Sequence, residues 1–171
     1  MTRERWDRVL LAGIALSVFA ADQVSKYLVL RYLKVGESWN PVPLLRGLFS
    51  VTHVVNSGAA FGLFPDQGTL FVVIAVVVVV AIVAYYRYLP TDRWLVRASL
   101  GLQLGGALGN LLDRLHYGYV VDFIDFKVWP VFNLADSAIV IGVAVLAYYL
   151  LREKEGVRDE EPAAQEEMGG S

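Results

Sequence analysis

The sequence predicts a mainly α-helical membrane protein with four transmembrane helices, a small extracytoplasmic β element between helices 1 and 2, and both termini in the cytoplasm. Two observations predict this class. Of the 171 residues, 56% are hydrophobic and 19% are charged, a composition too apolar for an ordinary soluble domain of this size. The uncharged residues are also concentrated in four long stretches, at 9–21, 67–86, 98–112 and 137–151.

The lengths of these stretches define the four spans. A membrane-spanning helix needs ~20 mostly apolar residues, and only the second stretch reaches that length without meeting a charge. Extending the others predicts spans at about 9–32, 67–88, 95–115 and 133–152. Asp22, Asp113 and Asp136 then lie at or inside the membrane boundary. Ionisable side chains are costly there, so each is a candidate for function.

Basic residues orient the spans. They cluster before span 1, between spans 2 and 3 and after span 4, at 3–8, 87–97 and 152–158. Because Lys and Arg favour the cytoplasmic side, these flanks and both termini are expected there. Residues 1–20 also resemble a cleaved secretory signal, but the helical pattern continues and three more spans follow. An uncleaved first span explains both features.

Two segments lie outside the predicted spans. Residues 33–66 contain Pro41 and Pro43, and 48–55 is a short β-branched and aromatic run that predicts a strand. Residues 153–171 are rich in Glu and Asp and predict a disordered cytoplasmic tail. The chain is therefore expected to form one integral membrane domain, 1–152, followed by an acidic tail, 153–171.

The polar residues of the spans converge on one end of the bundle. With a rise of ~1.5 Å per residue, Asp22 lies about 21 Å from the cytoplasmic end of span 1. Lys26 is one turn further on the same helix face, where the two side chains can pair. The other polar groups expected at this level are Asn110, Asp113, Arg114 and Asp136 in the spans, and Asp122 and Asp125 in the loop between spans 3 and 4. We therefore expect these polar residues to form a single site in the outer leaflet.

Several chemistries lack their residues in this chain. There is no cysteine and there are two histidines, and without an HExxH motif a zinc protease has no ligand set. No GxSxG elbow is present, and no basic stripe indicates nucleic acid. Carboxylates remain, and two carboxylates that share a proton can activate water and protonate a leaving amine. We expect no metal and no cofactor.

Five motifs resemble one known family. In chain order they are DQVSK from Asp22, VNSGAAFG from Val55, GGALGNLLDR from Gly105, VVDFIDF from Val120 and FNLADS from Phe132. Together they span residues 22–137 and the four-helix plan. On these motifs the chain resembles the lipoprotein signal peptidases (signal peptidase II), aspartic endopeptidases of the bacterial cytoplasmic (inner) membrane.

The resemblance implies a substrate and a site. The substrates would be diacylglyceryl-modified prolipoproteins in membrane lipid, cleaved just before the lipid-modified cysteine with the active site towards the extracytoplasmic side. Asp122 and Asp136 would be the catalytic pair. The residues implied to bind substrate or support the site are Asp22, Lys26, Asn56, Gly58, Asn110, Arg114, Asn133 and Ala135. We expect the enzyme to act as a monomer.

Some residues have a second interpretation. Asn133 followed by Asp136 is also the pattern of a helix N-cap with an acid at the third position, a role compatible with catalysis. Asp125 competes with Asp122 for the catalytic role, and Asp113 is expected to form a salt bridge with Arg114.

A different function class also fits intramembrane charges, namely a small proton- or cation-coupled transporter. Such a protein usually carries polar groups near the midplane or along both halves of the bilayer. The inner halves of spans 2 and 4 offer none, which favours the one-sided site of a peptidase.

Overall fold

The computed structural model describes residues 3–58, 67–88 and 94–168. Within them, the helices and strands follow in the order α1 (Arg3–Tyr32), β1 (Ser38–Trp39), β2 (Ser50–Asn56), α2 (Gly68–Tyr85), α3 (Trp94–Tyr117), β3 (Val120–Asp125) and α4 (Leu134–Met168). Short 3-10 turns lie at Pro43–Leu45 and Tyr86–Tyr88. The helices coincide with the four apolar stretches, so the mainly helical fold with a small sheet is confirmed.

The helices carry apolar side chains on their outer surfaces. Arg8–Tyr32 of α1 and Leu134–Arg152 of α4 are long and apolar enough to cross a membrane, and Gly68–Ala84 of α2 is a shorter apolar helix. Val73, Val77 and Val80 are exposed on α2. Outward-facing valines of this kind suit a hydrocarbon solvent and would be unfavourable in water.

Helix α4 differs from the sequence prediction at its carboxyl end. Residues 153–168, expected to be disordered, continue the helical backbone to Met168. The segment contains six glutamates and two alanines, and both residue types are good helix formers. Extending a helix that already exists also avoids the cost of nucleating a new one.

A three-stranded antiparallel sheet lies beside the carboxyl-terminal end of α1, in the order β1-β2-β3. The predicted strand at 48–55 appears as β2. Residues 120–125, expected to be a loop, form β3, because their β-branched and aromatic side chains favour a strand and β2 provides the partner. Val121 and Phe123 of β3 pack against Val29 of α1, which brings Asp122 next to the helices.

Glycines on α3 allow its neighbours to approach closely. A Cβ added at Gly101 would lie 2.9 Å from Ile14 Cβ, and at Gly105 it would lie 2.5 Å from the Ala15 carbonyl oxygen. One turn further, a Cβ at Gly109 would lie 2.5 Å from Asp22 Oδ2. This four-residue spacing of small residues is typical of membrane helix interfaces. It lets the polar residues of α1 reach those of α3.

The α1–α3 interface generates a stability prediction. Gly105→Ala should lower the free energy of unfolding by ~1–3 kcal/mol, because the added methyl meets the Ala15 backbone and the helices must separate. Thermal unfolding of the purified protein in detergent measures this as a lower Tm. Gly13→Ala is the matched control, because a Cβ at Gly13 of α1 meets nothing within 4 Å. Equal Tm values for the two variants would contradict the close-packing account.

Candidate active site

Strand β3 presents Asp122 to the helix bundle. Its side chain is 1% exposed. Asn56 Nδ2, from the paired strand β2, donates to Asp122 Oδ2 at 2.9 Å. Asn133 Nδ2, just before α4, donates to Asp122 Oδ1 at 2.7 Å. The carboxyl group is therefore held on both oxygens between the sheet and the start of α4.

The second carboxyl group belongs to the first turn of α4. Asn133 Oδ1 accepts a hydrogen bond from the Asp136 backbone N–H at 2.9 Å, and the Asn133 N–H donates back to Asp136 Oδ2 at 3.4 Å. This reciprocal pair is a capping box, which confirms the N-cap interpretation of the sequence. The helix N-terminus also favours the ionised form of Asp136.

Two asparagines join the carboxyl groups. Asn110 Nδ2 of α3 donates to Asp136 Oδ1 at 2.7 Å. Asn133 Nδ2, which contacts Asp122, also lies 3.1 Å from Asn110 Oδ1. A continuous set of hydrogen bonds therefore runs from Asp122 to Asp136. Asp122 is buried and Asp136 is half-buried, so the pair is accessible from the Asp136 side.

The environment of Asp122 favours its protonated form. Burial disfavours the charged carboxylate, and the negative charge of Asp136 adds repulsion; together they raise the pKa of Asp122 to about 7. The hydrogen bonds from Asn56 and Asn133 act in the opposite direction and are outweighed. Near neutral pH, Asp122 can therefore hold a proton.

A buried lysine lies behind the asparagines. Lys26 Nζ contacts Asp22 Oδ2 at 2.8 Å, Asp113 Oδ2 at 2.9 Å and Asn110 Oδ1 at 2.9 Å. The predicted Asp22–Lys26 pair is confirmed. The expected Asp113–Arg114 salt bridge is corrected, since Asp113 pairs with Lys26.

The correction has a geometric reason. Consecutive residues of an α-helix point about 100° apart, so Asp113 and Arg114 leave α3 in different directions. The Arg114 guanidinium lies over the Phe71 ring, 5.3 Å from its centroid, and Nη1 donates to the Asn110 carbonyl oxygen at 3.4 Å. Its charge also interacts with Asp136 and Asp122.

Asp125 belongs to a different cluster. Being three residues apart on one strand, Asp122 and Asp125 point to opposite faces of the sheet. Asp125 Oδ2 accepts from Thr52 Oγ1 at 2.7 Å and pairs with Lys127 Nζ at 2.6 Å. Burial acts to raise its pKa, but the hydrogen bonds from Lys127 and Thr52 outweigh burial and lower the pKa to about 2. Asp125 is thus ionised and separate from the pair.

The remaining predicted site residues lie in the same cluster. The Gly58 N–H donates to Asn56 Oδ1 at 3.0 Å, which orients the amide towards Asp122. The Ala135 N–H donates to Asp22 Oδ1 at 3.0 Å. Residues 59–62 of the second motif lie outside the described residues.

Gln23 was not assigned a place in the site from the sequence, and Asp113 was expected at this level but with Arg114 as its partner. Gln23 Nε2 lies 3.1 Å from Asp22 Oδ2 and 3.2 Å from Asp113 Oδ1, so it joins α1 to α3 beside the lysine. Asp113 accepts from the Val121 N–H at 3.1 Å. The one signal for these residues in the sequence is a polar side chain at membrane depth. The residues that they contact lie far along the chain and cannot be found from local spacing.

Comparison with known proteins gives consistent results. The sequence profile described as "Signal peptidase (SPase) II" matches residues 14–152. A lipoprotein signal peptidase of Moorella thermoacetica is 54% identical over 138 residues, which cover 81% of this chain and 90% of the relative. Another, from Halothermothrix orenii, is 48% identical over 141 residues, covering 82% and 94%.

Two solved structures of bacterial membrane enzymes, both determined by the in meso method, have the same fold. The first superposes with a TM-score of 0.76 at 32% identity and covers 85% of this chain and 90% of that structure. The second has a TM-score of 0.74 at 34% identity and covers 82% and 92%. On its sequence and its fold, this chain belongs to the signal peptidase II family.

Proposed function

We propose that this peptidase removes the signal peptide from diacylglyceryl-modified prolipoproteins, cleaving before the lipid-modified cysteine with Asp122 and Asp136 as the catalytic pair. The observation that carries the proposal is the connection of the two carboxyl groups through Asn110 and Asn133. The names of the relatives, lipoprotein signal peptidases, support the substrate class. The transporter alternative is not favoured, because the family consists of peptidases.

The first chemical step uses the different environments of the two acids. Ionised Asp136, at the helix N-terminus, accepts a proton from a water molecule whose oxygen attacks the scissile carbonyl carbon. Protonated Asp122 donates its proton to the carbonyl oxygen, so that a neutral tetrahedral diol forms. The raised pKa of Asp122, about 7, supports this assignment of the acid.

The second step breaks the peptide bond. Asp136, protonated in the first step, gives its proton to the leaving nitrogen, which becomes the amine of the lipid-modified cysteine. Asp122 recovers a proton from the diol as the new carboxyl group forms. One water is consumed, one C–N bond is broken, and both acids return to their starting states.

The supporting residues keep the pair in its reactive arrangement. The Asn110 and Asn133 amides orient the two carboxyl groups, and Arg114 adds a positive charge that helps Asp136 remain ionised beside Asp122. Asn56, whose own amide is oriented by the Gly58 N–H, lies at the sheet side, where its backbone can also contact an extended substrate peptide. No metal or cofactor is needed for these steps.

The placement of the site suits a lipidated substrate. We propose four spans with both termini in the cytoplasm, supported by the basic flanks and by the apolar outer faces of the helices. The pair then lies near the extracytoplasmic surface, where the acyl chains stay in lipid while water reaches the peptide bond. The enzyme acts as a single copy, because the four helices and the sheet provide the proposed site residues.

Replacement of either acid tests the catalytic pair. Asp122→Asn and Asp136→Asn should each abolish cleavage of a diacylglyceryl-modified prolipoprotein in detergent, because the amide keeps the shape but cannot transfer the proton. Asp125→Asn is the matched control and should retain most activity, since Asp125 lies on the other face of β3. Inactive Asp125→Asn together with active Asp122→Asn would show that the wrong acid was chosen.

The pKa of Asp122 predicts the pH profile. Because the acid must be protonated, kcat should fall as the pH rises through about 7, where Asp122 loses its proton. Asp125, whose pKa is lowered to about 2, contributes nothing to this fall of kcat at alkaline pH. Asp125→Asn should therefore show the same pH profile. A kcat that stays constant well above the pKa of Asp122 would contradict the assignment.

The proposed orientation can be tested by labelling in cells. The chain has no cysteine, so single cysteines can be introduced without background. Cysteines at Ser38 and at Val128, which is 90% exposed, should react with a membrane-impermeant thiol reagent in intact cells. A cysteine at Thr91 should react only after lysis. The reverse pattern would place the acids on the cytoplasmic side, where an exported precursor could not present its cleavage site.

A further inference from the structure

Asp22 and Asp113 make matching contacts with the two catalytic segments. Asp22 Oδ1 accepts the backbone N–H of Ala135 at 3.0 Å, and Ala135 immediately precedes Asp136. Asp113 Oδ2 accepts the backbone N–H of Val121 at 3.1 Å, and Val121 immediately precedes Asp122. Each buried carboxylate therefore holds the backbone N–H of the residue directly before one of the two acids.

Both backbone N–H groups depend on these carboxylates. Ala135 lies in the first turn of α4, where the first four N–H groups have no partner within the helix. Val121 lies on β3 opposite Val55 of β2, and its N–H donates to the Asp113 carboxylate. A buried N–H without a partner is costly, so the carboxylates determine where each segment can rest.

A single ammonium group links the two carboxylates. Lys26 Nζ lies 2.8 Å from Asp22 Oδ2 and 2.9 Å from Asp113 Oδ2. Lys26 is 2% exposed, Asp22 0% and Asp113 1%. All three side chains are therefore shielded from water, and solvent does not compete for their contacts. The third contact of the ammonium, to Asn110 Oδ1 at 2.9 Å, fixes the amide so that its nitrogen faces Asp136.

We propose that Asp22 and Asp113, joined through Lys26, are positioning residues that set the separation of the two catalytic carboxyl groups through the backbone of Val121 and Ala135. They do not touch the reacting atoms. The inference rests on the proposed assignment of Asp122 and Asp136 as the catalytic pair. It adds Asp113, on α3, to the residues on which the reaction depends.

The consequence is a change in reactivity separate from a change in folding. Without the Asp113 carboxylate, the start of β3 is free to shift, and a misplacement of ~1 Å in a catalytic group can cost ~10²-fold in rate. Wider separation of the acids also weakens the repulsion that Asp136 exerts on Asp122. The pH at which kcat falls on the alkaline side should therefore decrease.

Steady-state kinetics of Asp113→Ala test the proposal. On the same prolipoprotein substrate, kcat should fall by on the order of 10²-fold with little change in KM. The alkaline limb of the pH profile, the range in which kcat falls as the pH rises, should move to lower pH. Asp22→Ala should show the same signature. Asp113→Asn should have an intermediate kcat, because its carbonyl oxygen can still accept the Val121 N–H while its amide cannot pair with Lys26.

Asp125→Ala is the matched control. Asp125 is also a buried carboxylate on this sheet, and its Oδ1 accepts a backbone N–H, that of Lys127, at 2.9 Å. Its removal should lower Tm while leaving kcat and the pH profile of the folded enzyme unchanged. A purely structural role for Asp113 would give the same result as this control.

The outcomes separate the inference from the proposed function. Wild-type kcat and an unmoved pH limb in folded Asp113→Ala, with Asp122→Asn inactive, would overturn the positioning role and leave the catalytic pair intact. Cleavage by Asp122→Asn would overturn the pair itself. If Asp113→Ala does not fold, Asp113→Asn decides, and a wild-type kcat with an unmoved pH limb in that variant overturns the proposal.

Discussion

The buried contacts of the Lys26 ammonium are the interaction on which the candidate active site of this protein depends. The ammonium pairs with carboxylates from two helices, Asp22 of α1 and Asp113 of α3, and a buried charge without such a partner is costly. Removing one member of such a buried cluster typically costs ~3–5 kcal/mol. The close approach that these contacts need is provided by glycine, since a Cβ at Gly109 would meet the Asp22 carboxylate.

From this cluster the polar contacts extend in one direction. The amides of Asn110 and Asn133 connect the lysine to the half-buried Asp136 and the buried Asp122. The helices beyond the cluster are mostly apolar, and their outer faces suit lipid. This chain thus combines a buried, charge-paired cluster with a carboxyl pair that is accessible from the Asp136 side.

Local patterns in the sequence predicted the parts of the structure that depend on neighbouring residues. The i,i+4 spacing of Asp22 and Lys26 predicts their pair, and Asn133 followed by Asp136 predicts the cap. The strand at 120–125 and the Asp113–Lys26 contact could not be predicted in this way. Both depend on partners distant in sequence, namely β2 and α1, and adjacency in sequence alone assigned Asp113 to its neighbour Arg114 instead.

The most direct test of the aspartic mechanism is cleavage by the purified protein in the presence of a metal chelator. A synthetic prolipoprotein peptide carrying diacylglycerol on its cysteine would be incubated with the enzyme, and the products identified by mass spectrometry. We expect a product that begins at the lipid-modified cysteine, formed at the same rate with and without chelator. Loss of cleavage with chelator and recovery on adding a divalent metal would contradict the account, as would no cleavage under any lipid condition.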